Sequence, residues 1–119
     1  MSKYKKEFGN FGEDLAEEYL KKKGFKILQR NYRYSRGEID IIAKDNDILV
    51  FVEVKTRVNL EFGPPELAIT KKQQQQIRKT AEAYLIDKNI TDTGCRIDVV
   101  AILKIKNKPP RINHIINAF

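Results

Sequence analysis

The sequence predicts an α/β fold in which a mixed sheet of about five strands has helices on its flanks. Two segments carry apolar residues at helical spacing, and the other apolar segments are short and either alternate or run unbroken, as strands do. A chain of 119 residues has room for one hydrophobic core. We therefore expect one domain over residues 1–119, with its elements in the order α-β-β-β-α-β-(β).

Local patterns define each predicted element. The first helix repeats apolar side chains at helical spacing and ends at Gly24. Polar turns separate the strands, and a loop containing Pro64 and Pro65 precedes a second helix that Thr70 caps. In chain order, the predicted segments are a helix at 10–23, strands at 25–34, 37–43 and 48–56, a helix at 70–87, and strands at 96–103 and 111–116.

Acidic residues gather in the predicted hairpin of the second and third strands. A four-residue loop at 44–47 would place Asp40 diagonal to Glu53. Strand alternation would put Ile39 and Ile41 together on the other face. A slip of one residue would move the acids to opposite faces. In the expected register, four side chains share one face: Glu38, Asp40, Glu53 and Lys55.

This cluster predicts a metal-dependent site that hydrolyses phosphodiester bonds. Asp40 and Glu53 would hold Mg²⁺ or Mn²⁺, with the Val54 carbonyl as a further ligand, because hard cations take oxygen ligands. The metal would polarise the scissile phosphate and lower the pKa of a bound water. Lys55 would orient that water or help to deprotonate it, and would stabilise developing negative charge. The alternative is an ordinary surface hairpin with a Glu–Lys pair.

Two further acids have two interpretations each. Glu13 lies at the edge of the apolar arc of the first helix, so it could reach the sheet as another metal ligand. Alternatively, Asn10 and Glu13 have the spacing of a capping box, in which Glu13 would bond a backbone N–H. Glu38 could tune the metal site or merely flank it.

The charge balance favours an anionic partner. The chain has 23 Lys and Arg against 16 Asp and Glu, for a net charge of +7, which favours nucleic acid ahead of a membrane. Lys71 and Lys72 oppose the dipole of the second helix, but its free N–H groups would suit a phosphate; a solvated helix face is the alternative. The predicted nucleic-acid contacts are Arg36, Arg57, Lys71, Lys72 and Gln74.

Cysteine usage and hydropathy favour a cytoplasmic protein. Cys95 is the only cysteine, so no internal disulfide can form; we expect it to pack in the core. The longest unbroken apolar run has five residues, which is too short to span a membrane. No apolar segment follows the basic N-terminus, as a signal peptide would require. We expect no membrane partner.

The hairpin contains two motifs, Gly37-Glu38-Ile39-Asp40-Ile41-Ile42-Ala43 and Phe51-Val52-Glu53-Val54-Lys55-Thr56-Arg57. These motifs resemble the YraN-like family of small bacterial proteins, and the resemblance covers nearly the whole chain. That family is assigned to the PD-(D/E)XK nuclease superfamily and is similar in outline to archaeal Holliday-junction resolvases. Gln73 stands where relatives often have Lys, which removes a phosphate contact at that position.

The resemblance implies a restriction-endonuclease-like core and a metal-ion mechanism in which Asp40, Glu53 and Lys55 inherit the catalytic roles. It implies an endonuclease-like domain acting on nucleic acid, DNA rather than RNA, in branched or single-stranded form. Cleavage of junctions or duplexes usually needs two active sites, which suggests a homodimer. The alternatives are a non-catalytic nucleic-acid-binding or repair-accessory module on a nuclease fold, and a scaffold that binds a protein partner.

Overall fold

A computed structural model describes residues 3–61 and 63–119. Within these residues the elements follow the predicted order, so the predicted α/β class is confirmed. One turn of 3-10 helix, Pro65–Leu67, interrupts the loop before the second helix. The helices and strands are α1 (Lys3–Lys22), β1 (Lys26–Tyr34), β2 (Gly37–Asp45), β3 (Ile48–Arg57), α2 (Lys71–Asp87), β4 (Cys95–Leu103) and β5 (Arg111–Ile115).

The strands form one mixed sheet in the order β1-β2-β3-β4-β5. Among the strand pairs described, only β3 and β4 run parallel. Parallel strands need a long connection, and the connection between these two contains α2. In that pair Lys55 lies beside Ala101, and Arg57 lies beside Leu103. The carboxyl ends of β3 and β4 therefore lie side by side at the same end of the sheet.

Each face of the sheet buries its own apolar cluster. On one face α1 packs through Ala16 and Leu20 onto the sheet. On the other face α2 packs through Ile77, Ala81 and Tyr84. Helices cover β3 on both faces, which explains why its first half is an unbroken apolar run rather than an alternating one.

The turn between β2 and β3 is shorter than predicted. Asn46 and Asp47 alone form it, so Ala43 pairs with Val50 instead of Ile48. Asn46 has a positive φ of 54°, which asparagine tolerates and tight hairpin turns require. The register differs from the predicted one by two residues, which moves no side chain of the paired segment to the other face.

The alternation of β2 breaks at Asp40. Ile39 joins the cluster under α2, whereas Ile41 joins the cluster under α1, so the prediction that these two side chains share a face is wrong. On β1, Asn31 lies between the partners of Ile39 and Ile41, opposite Asp40, and has a positive φ of 55°. The pairing of β2 with β3 ends at Ile41. Both β1 and β2 are therefore kinked where the acids lie.

Two local predictions are corrected at other positions. Helix α1 begins at Lys3, so Asn10 lies inside the helix and cannot cap it, and the capping-box interpretation of Glu13 is wrong. Cys95 is exposed rather than packed in the core. The predicted Thr70 cap is confirmed, because its side chain accepts from the N–H of Gln73. In the part of the chain that is described, neither helix is long and apolar enough to cross a membrane.

A buried ionic network on the α1 face links β4 to β5 and to β2. The carboxylate of Asp98 is fully buried, and it lies 2.8 Å from Nε2 of His114 on β5 and 2.9 Å from Nε of Arg96. Arg96 also donates to Asp45 on β2 at 2.9 Å. Burial alone would raise the pKa of Asp98, but the hydrogen bonds from His114, Arg96 and the N–H of Asn117 outweigh it, so that pKa lies below its ordinary value.

We predict that Asp98→Ala lowers the free energy of unfolding by about 3–5 kcal/mol, because it leaves the Arg96 guanidinium without its main partner inside the protein. Urea denaturation at neutral pH measures the change. Glu82→Ala, at an exposed position on α2, is the control and should stay within about 0.5 kcal/mol of the parent. A loss at Asp98 no larger than the control would contradict a stabilising role for the network.

Candidate active site

Asp40, Glu53 and Lys55 meet where β2 and β3 separate. Beyond the last strand pair, Oδ2 of Asp40 accepts a hydrogen bond from the backbone N–H of Val54 at 2.8 Å. The carboxyl groups of Asp40 and Glu53 are within hydrogen-bonding reach of each other. Nζ of Lys55 lies 3.6 Å from Oε1 of Glu53. The structure therefore brings together the three residues that the sequence nominated for catalysis.

The environment of Asp40 and Glu53 disfavours a negative charge on both carboxyl groups at once. Burial, aided by the charge of Glu53, raises the pKa of Asp40 to about 8. Burial also raises the pKa of Glu53 to about 6, although Lys55 opposes the increase. The pair therefore retains a proton near neutral pH. Strongly raised carboxyl pKa values are typical of sites that hold a cation or transfer protons.

Glu13 and Glu38 border the pair and are joined by Asn31. The amide Nδ2 of Asn31 donates to Oε1 of Glu13 and to Oε1 of Glu38, both at 2.9 Å. Nη2 of Arg30 donates to the same oxygen of Glu13 at 3.3 Å. The charges of both glutamates raise the pKa of Asp40. Glu13 thus reaches the site from α1, held by Asn31 and Arg30.

Two glycines bring the helices this close to the acids. A Cβ atom on Gly12 would collide with the Thr56 hydroxyl of β3, so Gly12 lets α1 approach β3 and places Glu13 at the site. A Cβ atom on Gly37 would collide with Thr80 of α2. Any larger residue at either position would push a helix away from the strand ends.

A pocket of about 150 Å³ opens between the strand ends and α2, and we call it the acid pocket. Water occupies about 30 Å³ per molecule in the liquid, so the pocket has room for a hydrated cation or a phosphoryl group. Gln74, predicted for this place, is half-buried on α2 and does not line the pocket. The lining includes Arg36, Glu38, Glu53, Lys55, Gln73 and Gln76.

Sequence reasoning missed Gln76, although a signal was present. Gln73 closes the capping box with Thr70, which fixes the orientation of the first turn of α2. A residue three positions further on lies on the same helix face. The cap therefore orients Gln73 and Gln76 toward the same pocket.

The predicted nucleic-acid contacts are distributed unevenly. Arg36 lines the acid pocket, while Lys71 and Lys72 are exposed on the first turn of α2. Arg57 stands two residues after Lys55 on β3, so both side chains project from the same face. Nε of Arg57 is buried and has no hydrogen-bond partner among the residues described. An unpaired buried donor is costly, and an anionic ligand would supply the missing acceptor.

A divalent cation fits the donor set as a two-carboxylate site. Within residues 3–61 and 63–119, no three Asp, Glu, His or Cys side chains converge as a complete metal cage. Mg²⁺ commonly binds through one or two carboxylates and keeps several waters. Asp40 and Glu53 supply two such carboxylates, and a cation between them would relieve their mutual repulsion. Glu13 is held by other partners, and Val54 contributes its N–H to Asp40.

Comparison with known proteins assigns the chain to a family. The model described as "Uncharacterised protein family UPF0102" matches residues 12–102, a range that contains every predicted site residue. The chain belongs to the UPF0102 family. The family-level resemblance to YraN-like proteins is therefore confirmed.

Relatives of the UPF0102 family match this chain over almost its whole length. The chain is 50% identical over 114 residues to a UPF0102 protein of Geotalea daltonii, covering 96% of this chain and 90% of the relative. Identity to a Geobacter sulfurreducens relative is 48% over 118 residues, covering 99% and 92%. Identity to a Clostridioides difficile relative is 47% over 114 residues, covering 96% and 97%. In each of these three comparisons the match covers at least 90% of the relative and of this chain.

We predict that Asp40 makes the metal-free protein less stable as pH rises. The folded state keeps a proton on Asp40 up to a pKa of about 8, whereas the unfolded chain loses it near its ordinary value of 3.8. Between these values the folded state binds more protons, so the free energy of unfolding falls with increasing pH. Asp40→Asn should remove the contribution of Asp40 to this pH dependence of the free energy of unfolding. It should also stabilise the protein near the upper end of this pH range.

Urea denaturation in EDTA at about pH 5 and about pH 8 measures the two slopes. Asp47→Asn, in the exposed turn between β2 and β3, is the matched control and should keep the parent slope. Added Mg²⁺ should stabilise the parent more at the higher pH, because metal binding competes with the proton. Equal slopes for the parent and Asp40→Asn would show that Asp40 ionises normally.

Proposed function

We propose that this UPF0102 protein is a Mg²⁺- or Mn²⁺-dependent endonuclease-like enzyme of the PD-(D/E)XK nuclease superfamily. Its substrate would be nucleic acid, DNA rather than RNA, in branched or single-stranded form. The observation that carries the proposal is the convergence of Asp40, Glu53 and Lys55 at the strand ends, beside a pocket that Glu53 and Lys55 line. We further propose that it acts in the cytoplasm, as a homodimer on substrates that need two cuts.

The proposed mechanism assigns one task to each residue. Asp40 and Glu53 would hold the cation through their ionised carboxylates. The cation would supply Lewis-acid polarisation and an acidified water. Lys55 would orient the attacking water and balance the charge that develops on the phosphate. Arg36, at the wall of the acid pocket, holds the neighbouring phosphate.

The surroundings support charge chemistry in this pocket. The Glu53 and Lys55 side chains are only 14% and 23% exposed, so their charges are less screened than those of surface pairs. On the same face of β3, the Nε of Arg57, which has no hydrogen-bond partner among the described residues, offers a donor to a phosphate oxygen. The net charge of +7 attracts a polyanion to the surface around the acids.

One observation favours a second function, a non-catalytic nucleic-acid-binding module on the same fold. Glu53 is already paired with Lys55, and no complete cage of three ligands is present among the described residues. An internal ion pair of this kind can maintain the strand ends without metal. Under this alternative the basic residues bind nucleic acid and the acids serve structure alone.

A cleavage assay tests the proposed function. Labelled single-stranded, duplex and four-way-junction DNA, with matched RNA, are incubated with Mg²⁺, with Mn²⁺ or with EDTA. We expect Lys55→Ala to lower the cleavage rate by about 100-fold or more, because it removes a charge that stabilises the transition state. Asp40→Ala should abolish metal-dependent cleavage. Lys79→Ala, at an exposed lysine on α2 outside the acid pocket, is the matched control and should cleave as the parent does.

Binding by fluorescence anisotropy separates the two functions. Parent binding should weaken as salt rises, with a log–log slope of about −0.7 per neutralised phosphate on single strands. Absence of cleavage above the Asp40→Ala level, with salt-sensitive binding retained, would favour the non-catalytic module. Absence of both would overturn both functions and leave a scaffold that binds another protein.

A further inference from the structure

A larger cavity of about 360 Å³ lies on the sheet beside the acid pocket, and we call it the base cavity. Its floor is Ala101 on β4, which is 1% exposed. Pro64 and Pro65, before α2, contribute to one part of its lining, and Arg111 and Asn113 of β5 contribute to another. Its volume is within the range of about 300–1,000 Å³ that small-molecule sites occupy.

Strand register relates the base cavity to the acid pocket. Lys55 pairs with Ala101, and Ala101 pairs with Asn113, so the three residues form one row across β3, β4 and β5. Residues paired across a sheet project from the same face. Strands lie about 4.8 Å apart, so the backbone of Asn113 is about 10 Å from that of Lys55. The base cavity therefore lies on the same face as the catalytic lysine, one strand away.

Two residues further along β3, the next row of paired residues on this face carries two cationic side chains. Arg57 pairs with Leu103, and Leu103 pairs with Arg111. Arg57 and Arg111 therefore stand at opposite ends of this row. The buried Nε of Arg57 has no hydrogen-bond partner in the part of the chain that is described. A chain of phosphates running from the acid pocket toward β5 would pass between two guanidinium groups, which bind phosphate strongly.

The cavity lining suits an uncharged ring rather than a second phosphate. Glu66 and Arg111 both line the cavity, so a phosphate would be attracted to Arg111 on β5 and repelled by Glu66 beside Pro65. Asn113 offers both donor and acceptor to the polar edge of a ring. Pro64 and Pro65 have fixed φ angles, so this part of the lining is rigid and needs little ordering when a ligand binds. A nucleobase has this combination of flat apolar faces and a polar edge.

We propose that the base cavity binds the nucleobase of the nucleotide next to the scissile phosphate. The strand would cross from the acids over β4 to β5, with its phosphates near Arg57 and Arg111. A base inside a duplex cannot enter such a cavity without leaving its stack. The preferred substrate therefore has an unpaired nucleotide at the cleavage position. This inference rests on the proposed function, since it requires nucleic acid at the acid pocket.

Amide NMR spectra of the full chain in EDTA, titrated with thymidine 5′-monophosphate and separately with inorganic phosphate, test the proposal. We expect the nucleotide, but not phosphate, to shift the signals of Leu60, Ala101 and Asn113. Asn113→Phe should fill the cavity from an exposed strand position and abolish those shifts. Arg111→Ala should weaken nucleotide binding about tenfold, the loss of one charge-assisted hydrogen bond.

Controls distinguish this inference from the proposed function. Lys79→Ala removes the same charge as Arg111→Ala and lines neither cavity, so it should bind as the parent does. Suppose the nucleotide shifts only signals of the acid pocket, and Asn113→Phe cleaves DNA as fast as the parent does. This result would overturn nucleobase binding in the base cavity and leave the proposed nuclease function intact. Shifts at the base cavity in a protein that does not cleave would support nucleotide binding and overturn hydrolysis alone. Absence of any shift would overturn the base cavity.

Discussion

The separation of β2 from β3 at Asp40 is the constraint on which the candidate site depends. Past Ile41 the backbone ladder ends, and the N–H of Val54 bonds to the Asp40 carboxylate instead of a strand carbonyl. That single hydrogen bond holds the Asp40 carboxylate between the ends of β2 and β3, next to Glu53. Burial and proximity then raise the pKa of both carboxyl groups. A regular hairpin would have left the two acids on a solvated surface, where neither pKa would depart far from its ordinary value.

The same sheet carries a second buried acid whose behaviour is the opposite. Asp98 is more completely buried than Asp40, yet its pKa is lowered, because His114, Arg96 and the Asn117 N–H all bond its carboxylate. Burial alone therefore does not mark a functional site here. The difference is compensation: two cationic residues and a backbone N–H bond the carboxylate of Asp98, while Asp40 and Glu53 together have one Lys55 ammonium and the Val54 N–H. A buried pair of acids with so few partners is destabilising in the absence of a ligand, and such pairs are characteristic of binding and catalytic sites.

The sequence predicted the fold order and the convergence of Asp40, Glu53 and Lys55, although the predicted hairpin register was wrong by two residues. That error moves no side chain of the paired segment to the other face, because strand faces repeat every two residues. Asp40 lies past the last pair and is held next to Glu53 by its bond to the Val54 N–H. The kink was not predictable, because it depends on a left-handed backbone at Asn31 in the middle of a strand. Long-range contacts were also out of reach: the bond from Asn31 to Glu13 joins residues far apart in sequence. By contrast, the capping box at Thr70 is a local signal for the face of α2 that carries Gln73 and Gln76.

Under the proposed function, the distribution of charge implies an order of binding. The chain is basic overall, so its surface attracts a polyanion. Near Asp40 the charges of Glu53, Glu13 and Glu38 disfavour a phosphate, while Lys55 and Arg36 on the pocket wall attract one. A divalent cation held by Asp40 and Glu53 would shift this balance toward the phosphate. Nucleic acid would therefore bind the exposed basic residues first, and its scissile phosphate would enter beside Asp40 and Glu53 together with the cation.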